Sequence, residues 1–187
     1  GGNNPSCDNL ENLYILDNDI ESNYLRTKEQ YEQSCKNGNM QSCNNLGIIY
    51  ADKKNVNQDY LKAKNLFEKS CEGGHIYGCA NLGDMYYFGK GITKDYIKAK
   101  ELYEKACNKR DLQSCKELGD MYYLGKGITQ DYIKAKELYE QACDGNNIKA
   151  CNNLGYMYSN GQGISQDYSK ANELYKKACD GDMAKAC

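Results

Sequence analysis

The sequence is poor in several residue types that common functional sites need. It has no tryptophan, one proline and one histidine, His75, among 187 residues. The single proline, Pro5, leaves the rest of the chain free to form helices, because an internal proline removes a backbone donor and clashes with the preceding turn. A lone histidine without partners is more typical of a surface polar residue than of a catalyst or a metal ligand. We therefore predict no catalytic residue, no metal site and no cofactor.

The chain also lacks an excess of one charge and a long apolar segment. Its 24 basic and 26 acidic side chains leave a net charge of −2. A nucleic-acid-binding face needs concentrated positive charge, so we expect no nucleic-acid partner. No apolar run approaches the roughly 18 residues of a membrane-spanning helix, so we expect no membrane span. The chain opens without Met and without a signal-like segment, which predicts a mature or recombinant form.

Cysteine, in contrast, is abundant and regularly placed. Ten of the 11 cysteines form pairs eight positions apart that recur every 36 residues. Zinc sites prefer shorter spacings and gather four ligands in one place. Even, regular pairs instead predict disulfides and an oxidising setting, periplasmic or secreted. The predicted bridges are Cys35–Cys43, Cys71–Cys79, Cys107–Cys115, Cys143–Cys151 and Cys179–Cys187. The remaining Cys7 has no partner in this pattern, so we expect it to be unpaired or to pair outside the chain.

The first half of each 36-residue unit has helical periodicity. Cys79, Leu82, Gly83 and Tyr86 occupy positions i, i+3, i+4 and i+7, which share one face of a helix. Glycine lowers helix propensity by roughly 1 kcal/mol relative to alanine. Its recurrence on a buried face therefore predicts close approach of a neighbouring helix.

The second half of the unit predicts a loop and a second helix. Gly89 and Gly91 are suited to ending the first helix, because glycine tolerates the left-handed conformation after a C-terminus. Good N-cap residues recur after the loop and predict the start of each second helix. They are Asn57, Thr93, Thr129 and Ser165. The predicted buried face of one second helix consists of Ala99, Leu102, Tyr103 and Ala106.

The repeat predicts an all-α solenoid that forms a single domain over residues 1–187. Each unit is a helix–loop–helix, and a bridge joins one unit to the next. Terminal units of solenoids are often atypical, which fits an irregular first unit and a partial last one. The predicted units are 7–34 (degenerate), 35–70, 71–106, 107–142, 143–178 and 179–187 (partial).

Several columns of the repeat resemble a known family. They are Asn81-Leu82-Gly83-Asp84-Met85-Tyr86, Gly89-Lys90-Gly91-Ile92, Asp95, Lys98-Ala99 and Leu102-Tyr103. This pattern resembles Sel1-like repeats, a branch of the tetratricopeptide class, and the paired cysteines resemble the cysteine-rich secreted Hcp type of bacteria. The resemblance implies an extracytoplasmic, right-handed α/α superhelix that serves as a protein-interaction scaffold. Members are also often described as β-lactamases or penicillin-binding proteins.

Penicillin hydrolysis is an alternative that rests on this resemblance alone. A serine β-lactamase needs a Ser-x-x-Lys nucleophile motif together with Ser-Asp-Asn and Lys-Thr-Gly elements. None of the three occurs in the sequence. A β-lactam or a peptidoglycan-derived ligand thus stays an alternative to a protein or peptide partner, and a purely structural spacer is a third hypothesis.

Four tyrosines point to a binding surface. The repeat accounts for 14 of the 18 tyrosines and leaves Tyr77, Tyr87, Tyr123 and Tyr156, all in first helices. By resemblance to tetratricopeptide arrays, first helices line a concave groove. Aromatic and amide side chains suit an extended peptide, a protein or a cell-wall glycan. The predicted binding residues are Asn44, Tyr77, Asp84, Tyr87, Lys116, Asp120, Tyr123, Asn152 and Tyr156.

Overall fold

The computed structural model describes residues 25–52 and 58–181. Within these ranges the chain forms nine α-helices and no strand, which confirms the all-α prediction. The first helix, α1, covers 25–36 of the described residues. The others are α2 (Met40–Ala51), α3 (Tyr60–Glu72), α4 (Ile76–Phe88), α5 (Tyr96–Cys107), α6 (Leu112–Leu124), α7 (Tyr132–Asp144), α8 (Ile148–Asn160) and α9 (Tyr168–Gly181).

The helices pack in the order in which they occur along the chain. From α2 to α9, each helix contacts the one before it and the one after it, and the tightest pairs are α2 with α3, α4 with α5, α6 with α7 and α8 with α9. These four pairs are the predicted helix–loop–helix units. Contacts of each repeat with its immediate neighbours, here including those between α2 and α4, are the defining property of a solenoid.

The second helices begin later than the sequence suggests. Asp95, rather than Thr93, is the N-cap of α5, and its side chain accepts a hydrogen bond from the backbone N–H of Lys98. Asp59 and Asp131 cap α3 and α7 in the same way. The predicted caps Thr93, Thr129 and Ser165 lie in the loops, and Asn57 lies outside the described residues.

The loop geometry explains this shift of two residues. The backbone N–H of Asp95 donates to the carbonyl oxygen of Tyr86 at 3.0 Å, which ties the end of the loop back to the first helix. The same bond recurs in the other three units. It holds the aspartate backbone in an extended conformation at the helix entrance, so the carboxylate is the group within reach of the first free N–H groups.

The repeated glycine on the first helix meets an aromatic ring of the second. A Cβ atom built on Gly83 would lie 2.8 Å from Cε1 of Tyr103, and one on Gly119 would lie 2.7 Å from the same atom of Tyr139. Tyr103 and Tyr139 are almost completely buried. Glycine is therefore required for the close helix approach that the sequence predicts.

Methionine supplies a part of the core that the helical pattern did not identify. In three repeats a methionine lies two positions after the packing glycine and is at most 2% exposed. These residues are Met85, Met121 and Met157. The predicted face held cysteine, leucine, glycine and tyrosine instead. The tyrosine of that face is less buried than the methionine, since Tyr86 and Tyr122 are only half-buried.

Four of the five predicted disulfides lie within the described residues and are formed. They are Cys35–Cys43, Cys71–Cys79, Cys107–Cys115 and Cys143–Cys151, with Cα atoms 4.6–4.7 Å apart. Each joins the end of a second helix to the next first helix. The fifth predicted pair includes Cys187, which lies outside the described residues, as does Cys7. Four such bridges indicate an oxidising, non-cytoplasmic setting.

Lysine side chains add a second tie at the same junctions. Nζ of Lys69 donates to the carbonyl oxygen of Cys35 at 3.1 Å, and Lys105 and Lys177 reach Cys71 and Cys143 at 3.3 and 2.9 Å. Each lysine belongs to the second helix one repeat further on. A cation at a helix C-terminus is favourable, since the last carbonyl groups lack intrahelical partners.

None of the helices in the described ranges combines the length and apolarity that a bilayer-crossing segment requires.

Candidate functional site

The predicted binding residues lie on the first helices of successive repeats, α2, α4, α6 and α8. We call the surface that these four helices share the groove. Hydrogen bonds connect neighbouring first helices directly: Nδ2 of Asn81 donates to Oδ1 of Asn44 at 2.8 Å, and Nδ2 of Asn153 donates to Oδ1 of Asp120 at 3.0 Å. These bonds join α2 with α4 and α6 with α8.

Tyr77 and Tyr156 are the most accessible of the predicted aromatic residues. They are 59% and 50% exposed. Asn152 is also exposed. These three side chains are free to meet a partner without a change in the fold.

Tyr87 and Tyr123 are half-buried and take part in the packing between repeats. The Tyr87 ring packs edge-on against Tyr96, with centroids 5.4 Å apart, and its hydroxyl accepts a hydrogen bond from Nζ of Lys126 at 3.2 Å. The hydroxyl of Tyr123 donates to Oε1 of Gln162 at 2.5 Å. Lys126 and Gln162 belong to the loop of the following repeat, so both tyrosines tie adjacent repeats together.

Asp84 and Asp120 hold the aromatic rings of the second helices. The hydroxyl of Tyr103 donates to Asp84 at 2.7 Å, and that of Tyr139 donates to Asp120 at 2.6 Å. Burial raises the pKa of Asp84, and the hydrogen bond from Tyr103 only partly offsets this effect. Burial, reinforced by the neighbouring carboxylates, raises the pKa of both tyrosines, so they stay protonated donors.

The first complete repeat shows what these aspartates are for. Ile48 stands at the position of Asp84 and Asp120, and Phe67 stands at the position of Tyr103 and Tyr139. Where the ring has no hydroxyl to satisfy, the carboxylate is absent as well. In these repeats Asp84 and Asp120 therefore serve the packing of their own repeat, whereas in the last repeat Tyr156 takes the aspartate position and the Tyr175 hydroxyl lies 3.5 Å from Ser159 instead.

Lys116 joins Asp120 in a half-buried cluster on α6. Its Nζ atom lies 2.7 Å from Asp120 and 3.2 Å from Glu117. Burial works to lower the pKa of Lys116, but hydrogen bonds and charge pairing with the two carboxylates outweigh it and leave the pKa raised. The lysine is therefore a permanent cation whose charge is already neutralised.

Asn44 is the predicted residue that the structure buries most deeply. It is 4% exposed and accepts the hydrogen bond from Asn81. Its hydrogen-bond partner belongs to the next repeat. Neither Asn81 nor Asn153 was among the predicted residues, although both recur in the same column of the repeat.

Cavities open along the groove between neighbouring first helices. One of about 270 Å³ lies between α2 and α4, and one of about 220 Å³ lies between α6 and α8. A third, of about 920 Å³, is lined by Lys116, Lys149 and Asn152 and extends along α9 to Asp180, next to the end of the described residues.

The described residues contain no cluster of three or more metal-ligating side chains. His75 occupies the N-cap position of α4 without a capping hydrogen bond, and its ring lies edge-on to Tyr77 at 5.6 Å. These surroundings fit the surface role that the sequence predicts for it.

The chain matches the Sel1 repeat family model four times in succession, at residues 41–75, 76–111, 112–147 and 148–183. These matches cover most of the sequence and have nearly the same length as the predicted units. They begin at the first helices, whereas the predicted units begin at the preceding cysteine. No curated protein sequence matches the chain.

Solved structures of the same repeat are similar to the chain. A Sel1 repeat protein from Oxalobacter formigenes is 24% identical over 87% of this chain and 69% of its own, with a TM-score of 0.74. An immunity protein, Pa5087 from Pseudomonas aeruginosa, is 22% identical over 84% of this chain and 58% of its own, with a TM-score of 0.57.

The cysteine-rich protein B of Helicobacter pylori is also similar, at 30% identity over 72% of this chain and 97% of its own, with a TM-score of 0.58. Its name describes a high cysteine content, which this chain shares. Four consecutive family matches, the paired helices and this relative lead to one conclusion: the chain belongs to the Sel1 repeat family.

Proposed function

We propose that this protein is a non-enzymatic scaffold that binds an extended segment of another protein in its groove, in the periplasm or outside the cell. Sel1 repeat proteins are typically interaction scaffolds, and the disulfides support an oxidising setting for this one. The observation that carries the proposal is the pair of exposed aromatic residues, Tyr77 and Tyr156, on a surface of linked first helices with cavities between them.

The chemistry of the groove favours a peptide over a charged ligand. The charges of Lys116 and Asp120 are used in contacts within the protein. What remains accessible is aromatic, aliphatic and amide surface, which gives contact area and hydrogen bonds to a polypeptide backbone, together with the exposed lysines Lys90 and Lys149. Penicillin hydrolysis and a peptidoglycan fragment have no support in the described groove or in the names of the relatives, so they form no part of the proposal.

The test is affinity capture from the envelope fraction of the native organism, with a groove variant and a matched control. Tyr77→Ala combined with Tyr156→Ala removes the two exposed rings. The control combines Leu61→Ala with Ile133→Ala, which removes two equally exposed apolar side chains from second helices. We expect a partner that the wild type and the control retain and that the groove variant loses.

Two outcomes would contradict the proposal. A partner that both variants retain equally would place the binding surface outside the groove. The absence of any specific partner would favour a structural spacer. Circular dichroism of both variants checks that the helical array is intact.

A further inference from the structure

The two smaller cavities of the groove are equivalent positions of the repeat. We call them the first notch, between α2 and α4, and the second notch, between α6 and α8. Five lining positions of the first recur two repeats later in the second: Ile48 with Asp120, Ala51 with Tyr123, Asp52 with Leu124, Phe67 with Tyr139, and Asn81 with Asn153. The repeat therefore places the two notches at equivalent positions of helix pairs that are two repeats apart.

Each notch has the size and the lining of a site for one apolar side chain. Volumes of about 270 and 220 Å³ fall below the roughly 300–1,000 Å³ of pockets that enclose whole small molecules. Phe67 and Met85 line the first notch, with the half-exposed Ile48 beside them, and the charged residues Asp52 and Lys90 complete its lining. Tyr139 lines the second, with the half-exposed Leu124 and Tyr156.

Each notch also holds one asparagine that suits a polypeptide backbone. Asn81 and Asn153 donate through Nδ2 to the preceding first helix. Among the residues that the structure describes, no donor reaches the Oδ1 atom of either one. An amide oxygen beside an apolar pocket can accept a backbone N–H while the pocket takes the adjacent side chain.

The position between the two notches has different chemistry. Glu117 replaces the asparagine there, and its Oε1 atom already accepts hydrogen bonds from Gln113 at 2.6 Å and from Lys116 at 3.2 Å. Lys126 lies over the Tyr87 ring at the same level, 5.3 Å from its centroid. The acceptor and the ring that a ligand would use are therefore engaged within the protein.

We propose that the groove recognises an extended peptide through two bulky apolar side chains about six residues apart, one in each notch. First helices of adjacent repeats lie close enough for direct side-chain hydrogen bonds, so one step between them is about 10 Å and the two steps from one notch to the other span roughly 20 Å. An extended chain covers about 3.3–3.6 Å per residue, which sets the separation of the two anchors at about six residues. This inference rests on the proposed function and specifies the kind of partner that the groove takes.

Fluorescence anisotropy with synthetic peptides tests the separation directly. The probes are fluorescein-labelled serine–threonine peptides that carry two leucines, with the second leucine two to nine residues after the first. We expect the tightest binding at a separation of about six residues. That peptide should bind about tenfold or more tightly than a peptide with one leucine, because each buried leucine contributes separately.

Single-notch variants identify where the anchors bind. Ile48→Glu and Tyr156→Glu each place a charge beside one notch, and each should reduce the binding of the best two-leucine peptide to that of the one-leucine peptide. Leu61→Glu makes the same change of charge at an exposed second-helix position and should leave binding unchanged. Thermal unfolding of each variant confirms that the array is folded.

The peptide-binding results distinguish the two-notch arrangement from the scaffold role on which it rests. Equal affinity at all separations, no measurable binding of any peptide, or equal loss in Leu61→Glu would overturn the two-notch arrangement. If the partner captured from the envelope is still lost by the groove variant in any of these cases, the scaffold role stands without it. If that partner is retained, both proposals fail.

Discussion

Single residues in this array can be judged against their equivalents in the other repeats. Arg110 has a φ of 67°, in the left-handed region that is unfavourable for most side chains. Its equivalents are Gly38, Gly74 and Asn146, which also have positive φ. Glycine and asparagine adopt this conformation readily, whereas arginine does so at a cost of roughly 1–2 kcal/mol. The turn before each first helix, rather than the side chain, requires this backbone geometry.

We therefore expect Arg110→Asn to raise the free energy of unfolding by about 1 kcal/mol. Equilibrium urea denaturation measures the change. Lys109→Asn is the control, because Lys109 is the exposed neighbour of Arg110 and lacks the positive φ. It should change stability by no more than about 0.5 kcal/mol. Equal shifts in both variants would show that the backbone conformation is not the cause.

The Asp84–Tyr103 hydrogen bond gives a second prediction at this scale. Tyr103→Phe leaves a half-buried carboxylate without its donor, and Asp84→Ile leaves a buried hydroxyl without its acceptor, so each should cost about 1–2 kcal/mol. The double variant recreates the Ile48–Phe67 pair of the first complete repeat and should regain most of the stability.

A double-mutant cycle by urea denaturation measures this coupling, which we expect to be at least about 1 kcal/mol. Tyr103→Phe combined with Ile133→Ala supplies a non-contacting comparison. Additive effects of Asp84→Ile and Tyr103→Phe would mean that the hydrogen bond contributes nothing specific to the packing.

The helix pair is the element that the packing glycine makes possible. Gly83→Ala favours α4 by roughly 1 kcal/mol of helix propensity, but it sets a methyl group against the ring of Tyr103. That ring is 1% exposed and has no space to move into. We expect a net loss of about 1–3 kcal/mol in the free energy of unfolding, measured by thermal or urea denaturation.

Gly155→Ala is the matched comparison within the same repeat pattern. Its methyl group would meet Tyr175 at 2.9 Å, but Tyr175 is only half-buried and its ring can shift outward. Gly155→Ala should therefore cost less than Gly83→Ala, although its methyl group also lies 3.3 Å from the carbonyl oxygen of Ala171. If both substitutions stabilise the protein equally, helix propensity rather than ring contact governs this position.

At the scale of the whole molecule, the disulfides couple one repeat to the next. In the chain-entropy model a bridge across so short a loop contributes about 2–3 kcal/mol. Cys107–Cys115 lies between α5 and α6, in the middle of the array. We expect Cys107→Ala combined with Cys115→Ala to lower stability by this amount and to broaden urea unfolding into two transitions, because each half then unfolds with its own neighbours.

The terminal bridge provides the control for this effect. Cys35→Ala combined with Cys43→Ala weakens a junction near one end, where few helices depend on it. It should lower stability without dividing the main transition. A single sharp transition in the central variant would show that helix contacts, rather than the bridge, maintain cooperativity.

The sequence by itself determined the features that recur in each repeat. The helical class, the paired cysteines and the glycine that admits a neighbouring helix all follow from local spacing, since a helix face and a short covalent loop depend only on positions close together in the chain.

Only the tertiary structure decided which polar and aromatic side chains are already engaged. Asp84 meets a hydroxyl 19 positions further on, and Tyr87 meets a lysine 39 positions further on. These contacts depend on how the helices of one repeat lie against each other and against the next loop. Spacing along one helix does not contain that information, and for the same reason it could not place Asp95 at the helix entrance or reveal the two notches.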